Sequence, residues 1–121
     1  MKEWNVGLMS HLGMRFVEVG PDRVVAELDV RGELATIGGA VHGGTLMALA
    51  DTAGAAGTAA MGLRTETLES KTNFFAAAMA GKLRAEATAL HKGRRTHVWQ
   101  TRVTDDAGRL LSLTIQTQMI L

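Results

Sequence analysis

Asp51 is the one carboxylate in the apolar stretch 38–63, GGAVHGGTLMALADTAGAAGTAAMGL. Burying an ionised carboxylate without partners is costly, so this residue needs an explanation. It either has a structural hydrogen-bond set, from backbone or a threonine, or it has a chemical task. Its helical neighbours favour a task. Gly44, Met47, Ala48, Gly54, Ala55 and Thr58 share its face, and most are small enough to clear space beside the carboxylate. A glycine inside a helix costs about 1 kcal/mol relative to alanine. Something, substrate or a partner subunit, is therefore expected to come close to the backbone there.

His42-Gly43-Gly44 supplies the second half of a reaction site. At a helix start the first backbone N–H groups are unpaired and the dipole is positive. Glycine lets a ligand approach that backbone closely. Such a terminus can hold a phosphate, or the oxyanion formed when a carbonyl is attacked. His42 fits either a structural or a catalytic part. Gly43 and Asp51 stand eight positions apart, about 12 Å along a helix. One small reacting carbon cannot touch both within one chain. If they cooperate, the donor comes from one subunit and the acid from another, which implies a two-fold dimer with paired sites.

The surrounding elements must position these groups. Residues 4–12 suit a short helix, and Gly20-Pro21-Asp22 a turn between two strands. Val24, Ala26, Leu28 and Val30 alternate with Arg23, Val25, Glu27 and Asp29, giving a strand with one apolar face. A glycine-rich loop leads into a helix over 45–62, expected to be buried on nearly all sides and broken at Arg64-Thr65-Glu66. Four strand-like runs follow: ETLESKTNFFA, GKLRAEATALH, RTHVWQTRVTD and RLLSLTIQTQMIL. In the last, Leu111, Leu113, Ile115, Thr117, Met119 and Leu121 share a side. One helix cannot cover both faces of such a sheet, so the simplest α+β arrangement wraps the antiparallel sheet around it. Val25, Val98, Leu110 and Ile120 then fall on the outer face, where another subunit is expected to bury them.

Composition narrows the function classes. At 121 residues the chain has length for one domain. Thirteen basic and 12 acidic residues give a net charge of +1 with no basic tail, which argues against nucleic acid as a partner. The absence of cysteine removes disulfides, thiolate metal sites and a cysteine nucleophile, and suits a reducing cytoplasmic setting. The start, MKEWNVGLMSHLG, lacks a signal-peptide core. The run 45–62 is long enough to raise a membrane span, but Asp51, three threonines and three glycines interrupt it. A buried helix is expected instead, with no membrane partner.

HGGTLMALADTAG, followed by KTNFFAAAMAGKLRAEATALHKGRRTHVWQTRVTDDAGRLLS, resembles the hotdog-fold acyl-CoA thioesterases. Within them it is similar to the phenylacetic-acid-pathway (PaaI-type) group and its hydroxybenzoyl-CoA thioesterase relatives, from about Leu12 to the carboxyl terminus. The resemblance implies a single hotdog domain over 1–121, with an antiparallel sheet wrapped around one long central helix. It implies homodimers, commonly paired into homotetramers, and hydrolysis of an acyl-CoA thioester with no cofactor and no metal. Gly43 would polarise the carbonyl through its N–H, with His42 and Gly44 at the same terminus. Asp51 of the opposing subunit would act as nucleophile or general base. Two positions depart from the family pattern. Thr36 stands where Asn or Gln is frequent, fifteen residues before the acid, and Ala55 replaces the Ser or Thr of some aryl-CoA members. Thr36 still offers a shorter-reaching hydroxyl.

HKGRRT, at 91–96, joins two strands near where related enzymes hold the nucleotide. A solvated bulge would also carry such residues, but arginines grip phosphates bidentately. Gly93, Arg94, Arg95 and Thr96 are therefore candidates for the CoA phosphates, with Lys92 and Arg84 as weaker ones. Which arginine faces the ligand depends on register. Trp99 and Phe74 suit core or interface better than acyl-pocket walls. Two other functions remain open: a hotdog enoyl-CoA hydratase, whose Asp-plus-His loop is not recognisable here, and a non-catalytic acyl-CoA-binding module. The acyl group implied by the resemblance is aromatic.

Overall fold

The computed structural model describes residues 5–121, so the Trp4 end of the expected first helix lies outside the described residues. Helix α1 spans Gly7–Leu12, ahead of strands β1 (Arg15–Val19) and β2 (Arg23–Asp29). After a single 3-10 turn comes α2 (Gly43–Ala59), then β3 (Thr65–Phe74), β4 (Lys82–Lys92), β5 (Thr96–Thr104) and β6 (Leu110–Ile120). The six strands form one antiparallel sheet in the order β1-β2-β4-β5-β6-β3, curled around α2. This is the hotdog architecture the sequence predicts.

The alternation in β2 places Val24, Ala26 and Leu28 in the core at 0% exposure, beside Leu83, Ala85 and Ala87 of β4. The helix ends sooner than its composition suggests. Gly62, at φ 77°, turns the chain before Arg64, and Thr65 and Glu66 already belong to β3. Nor is α2 buried all round. The sheet does not close between β1 and β3, so Ala48, Asp51, Thr52, Ala55 and Ala59 stay half-exposed along one stripe. No helix among the described residues is long and apolar enough to cross a membrane.

Strand β6 reverses the face its composition suggests. Ser112, Thr114, Gln116 and Gln118 point inward with no exposure, while Leu113, Ile115 and Thr117 lie half-buried on the other side. Pairing decides this. Thr101 opposes Thr114, Trp99 opposes Gln116 and His97 opposes Gln118, and those β5 residues face the helix. Leu111 still reaches the core because the register shifts between Val103 and Thr104. Val25 needs no second subunit to cover it: it is 1% exposed in the single chain. Its cross-strand partners Glu18 and Glu86, both ion-paired to Arg23, flank it on the same face. Val98, Leu110 and Ile120 remain half-buried.

The helix glycines are explained by this chain's own side chains rather than by a ligand or a second subunit. A Cβ at Gly54 would stand 2.6 Å from the Gln116 amide, and one at Gly57 would stand 2.2 Å from the Trp99 ring. The fully buried Trp99 fills the space beside Gly57. Gly57→Ala should therefore destabilise the fold by about 1–3 kcal/mol through overpacking, despite alanine's better helix propensity. Urea unfolding would read this as a lower midpoint at unchanged slope. A midpoint at or above wild type would show that Trp99 does not depend on this gap.

Candidate active site

Asp51 stands midway along α2, half-buried, facing strands that lie far from it in sequence. Thr67 Oγ1 on β3 donates to Asp51 Oδ1 at 2.5 Å. Gln116 Nε2 on β6 donates to the same oxygen at 3.2 Å and to the Asp51 backbone carbonyl at 3.1 Å. Asp51 Oδ2 has no hydrogen-bond partner among the described residues. The acid thus has a threonine partner, the structural alternative weighed from sequence, on one oxygen, and its second oxygen stays open. Gln116 occupies the small-residue gap at Gly54, so the room on this face is partly filled from within.

At the helix start, His42 is the N-cap, with φ −61° and ψ 135°. Its Nδ1 accepts the Gly44 N–H at 2.7 Å, and its carbonyl accepts the Thr45 N–H at 2.9 Å. A neutral ring acting as acceptor at Nδ1 carries its proton on Nε2. The Gly43 N–H has no partner among the described residues, so one donor at the positive end of the helix stays unspent. A Cβ at Gly43 would come within 3.1 Å of the Phe74 ring, which is itself 50% exposed. Gly43 and Phe74 line a hollow of about 360 Å³ with Val41, Leu46 and Ala78. An apolar hollow of about 170 Å³ opens along the second half of α2, between Met9, Phe16, Thr52, Ala55 and Ala59.

Thr36 does not meet Asp51 in hydrogen-bond contact. Its Oγ1 accepts the Gly38 N–H at 3.2 Å, its own N–H donates to Ala40, and the residue is exposed in the loop before α2. That loop is pinned by Val41 N–H to Ala78 and His42 N–H to Leu34.

The arginine turn joins β4 to β5, closed by the Gly93 N–H on the Thr96 carbonyl at 2.8 Å. Arg94 and Arg95 are exposed and carry no ion pair among the described residues, whereas Lys92 is paired with Asp22. Arg84 is exposed on β4, opposite Glu27 and Thr104. Thr58, near the carboxyl end of α2, contacts His97 at the start of β5. The turn therefore lies at the far end of the helix from Gly43, roughly 22 Å away at helical rise. One chain does not bring Arg94 or Arg95 to its own Gly43.

Reading the residues in isolation misses Thr67, Gln116 and Gln118. The available signal was the period-two polar set Ser112, Thr114, Gln116 and Gln118, which either face of β6 would have explained.

A second polar cluster locks the helix end. Trp99 Nε1–H donates to Thr58 Oγ1 at 2.9 Å, and Thr58 Oγ1 lies 3.0 Å from His97 Nδ1. An indole only donates, so Thr58 Oγ1 accepts from Trp99, and the direction of its contact with His97 Nδ1 is set by the imidazole tautomer. Burial, reinforced by Lys92 and His91, holds His97 below its ordinary pKa.

A six-stranded antiparallel sheet curled around one long helix is the hotdog architecture of thioester hydrolases. The chain belongs to the thioesterase superfamily, whose family profile matches residues 38–112. A Mycobacterium tuberculosis protein provisionally named an esterase is 33% identical over 109 residues, covering 85% of this chain and 78% of its own length. A 1,4-dihydroxy-2-naphthoyl-CoA hydrolase of Listeria monocytogenes is 32% identical, covering 89% and 90%. The crystal structure of a thioesterase from Haemophilus influenzae superposes with a TM-score of 0.90 at 26% identity, covering 99% of this chain and 86% of that one.

The His97 cluster gives a pH prediction. With the folded pKa depressed, the unfolded chain binds the proton first as the pH falls below about 6.5. Stability is then complete above that value and declines as the pH drops toward the folded pKa. Unfolding midpoints at about pH 7.5 and about pH 5.5 should differ less in His97→Asn than in wild type. Equal differences in the two proteins would remove His97 from the acid sensitivity.

Proposed function

We propose that the protein hydrolyses an acyl-CoA thioester to free acid and CoA at a site shared by two copies of the chain. The observation that carries this is a pair of unspent groups, the Gly43 N–H and Asp51 Oδ2. They are separated by eight residues of one helix, about 12 Å, which is too far to serve one carbonyl. Two helices lying side by side in opposite directions bring each acid to the other chain's helix start. The Gly43 N–H then polarises the thioester carbonyl and holds the developing oxyanion. Asp51 either attacks the carbonyl carbon or takes a proton from the water that does. Collapse of the tetrahedral intermediate breaks the C–S bond, and the CoA thiolate leaves and is protonated. If water attacked, this gives the free acid directly; if Asp51 attacked, a water then hydrolyses the acyl–Asp51 anhydride to the free acid and restores the carboxylate.

His42 supports the donor by engaging Gly44 and leaving the Gly43 N–H free. Thr36, whose oxygen already accepts from Gly38, retains its hydroxyl hydrogen for a water or the substrate. The apolar hollows beside α2 suit an aromatic acyl group, as does likeness to a relative named for naphthoyl-CoA. In the PaaI-type reading the dimers pair into tetramers, and the cysteine-free chain suits the cytoplasm. The Gly93–Thr96 turn, with Arg94 and Arg95 unpaired, takes the CoA phosphates at the helix end that an antiparallel partner places near Gly43.

Asp51→Asn should leave the fold and assembly intact and lower turnover by about a hundredfold or more. Gly43→Val, which drives a methyl group toward Phe74 and crowds the free amide, should be similarly inactive. A dimer mixing these two variants holds one site with both lesions and one with neither. Activity should return after subunit exchange, toward half of wild type per mixed dimer. Proven exchange without recovery would refute the shared site.

A separate prediction concerns the nucleotide. Replacing Arg94 and Arg95 together with Ala should raise KM for acyl-CoA far more than for the matching acyl-pantetheine, which lacks the nucleotide phosphates. Equal increases for both substrates would count against a phosphate grip.

A further inference from the structure

We infer that Thr67 and Gln116 are positioning residues that aim Asp51, holding Oδ1 so that Oδ2 is the reacting oxygen; this rests on the reading of Asp51 as the reactive acid. The direction of every bond around Asp51 follows from donor and acceptor chemistry. Gln116 Nε2 stands 3.1 Å from the Asp51 carbonyl and 3.2 Å from Oδ1. Both are acceptors, so the amide nitrogen must face them. Gln118 Nε2 donates to Thr67 Oγ1 at 2.7 Å, and Gln118 Oε1 accepts from Thr65 Oγ1 at 2.9 Å. With an amide already donating to its oxygen, Thr67 spends its single hydrogen on Asp51. The chain therefore runs one way, from Gln118 through Thr67 to Asp51, while the Thr65 hydroxyl is shared between Gln118 Oε1 and the Met119 carbonyl at 2.8 Å.

Two donors converge on Oδ1 from different strands, and none reaches Oδ2. That anchors Oδ1 and leaves Oδ2 as the oxygen turned away from both strands' donors. The arrangement also carries a cost. Gln116 is fully buried, yet its Oε1 has no hydrogen-bond partner among the described residues, because the amide is turned to give its hydrogens to Asp51. Gly54 is what lets that amide lie against the helix. A buried amide with an orphaned carbonyl is a poor way to fill a core, and it fits an orienting part.

The test measures kcat and KM for acyl-CoA hydrolysis in Thr67→Val, Thr67→Ser, Gln116→Met and Asp51→Asn. Thr67→Val and Gln116→Met keep size while removing the donor. Each should lower kcat about tenfold or more with KM unchanged, since a hydrogen bond to a charged group is lost. Thr67→Ser, which restores the hydroxyl, should recover most of the loss. Full kcat in Thr67→Val and Gln116→Met beside an inactive Asp51→Asn would overturn this inference alone. So would kcat and KM worsening together with no recovery in Thr67→Ser. An active Asp51→Asn would instead overturn the reading of the acid, and this inference with it.

Discussion

The close approach of α2 to strands β5 and β6, permitted by Gly54 and Gly57, is the contact on which the rest of the structure depends. Any side chain at either position would push against a neighbour already within 3 Å. Through the Gly57 gap Trp99 fills the core and sends its indole N–H to Thr58. Through the Gly54 gap Gln116 reaches Asp51. The two glycines lie three residues apart, on neighbouring turns of the helix. One packing decision therefore seats the largest core side chain and also supplies the acid with its partner.

That decision also makes the inner face of β6 polar. Four polar side chains of this strand are fully buried, and Ser112 Oγ, Gln116 Oε1 and the facing Thr101 Oγ1 of β5 lack partners among the described residues. Unsatisfied buried groups cost stability, typically about 1–3 kcal/mol each. An apolar strand would pack the same space more favourably but would leave Asp51 with no donor from β6. The sheet's wider apolar core, from β2, β4 and the helix, carries the stability this face gives up.

The two ends of the proposed chemistry are prepared differently. At the helix start, preparation is subtractive: His42 takes up the Gly44 and Thr45 N–H groups and leaves one amide free in the positive field of the helix. At the helix centre it is additive, with strands β3 and β6 each lending a donor to one oxygen of the acid. Neither group can reach the other inside a chain, because the rigid helix that presents both also holds them apart.

Element order, the antiparallel sheet and the central helix were legible in the sequence, as were the places of Asp51 on that helix and of His42 and Gly43 at its start. These rest on local quantities: a period of two in β2, glycines before an apolar run, and a lone acid among small residues. The faces and partners were not local. Which side of β6 turns inward depends on its register against β5, and a one-residue slip exchanges the two sides entirely. Composition favoured the leucine side, and pairing with Trp99 and His97 chose the glutamine side. The same holds for Val25, flanked by the ion-paired Glu18 of β1 and Glu86 of β4, and for Gly54 and Gly57, whose close neighbours come from β6 and β5. Asp51 itself is a matter of sequence, but its donors Thr67 and Gln116 stand 16 and 65 residues away. Local propensity determined the elements; only the folded sheet could decide which side chains meet the acid, because strand pairing joins residues with no relation along the chain.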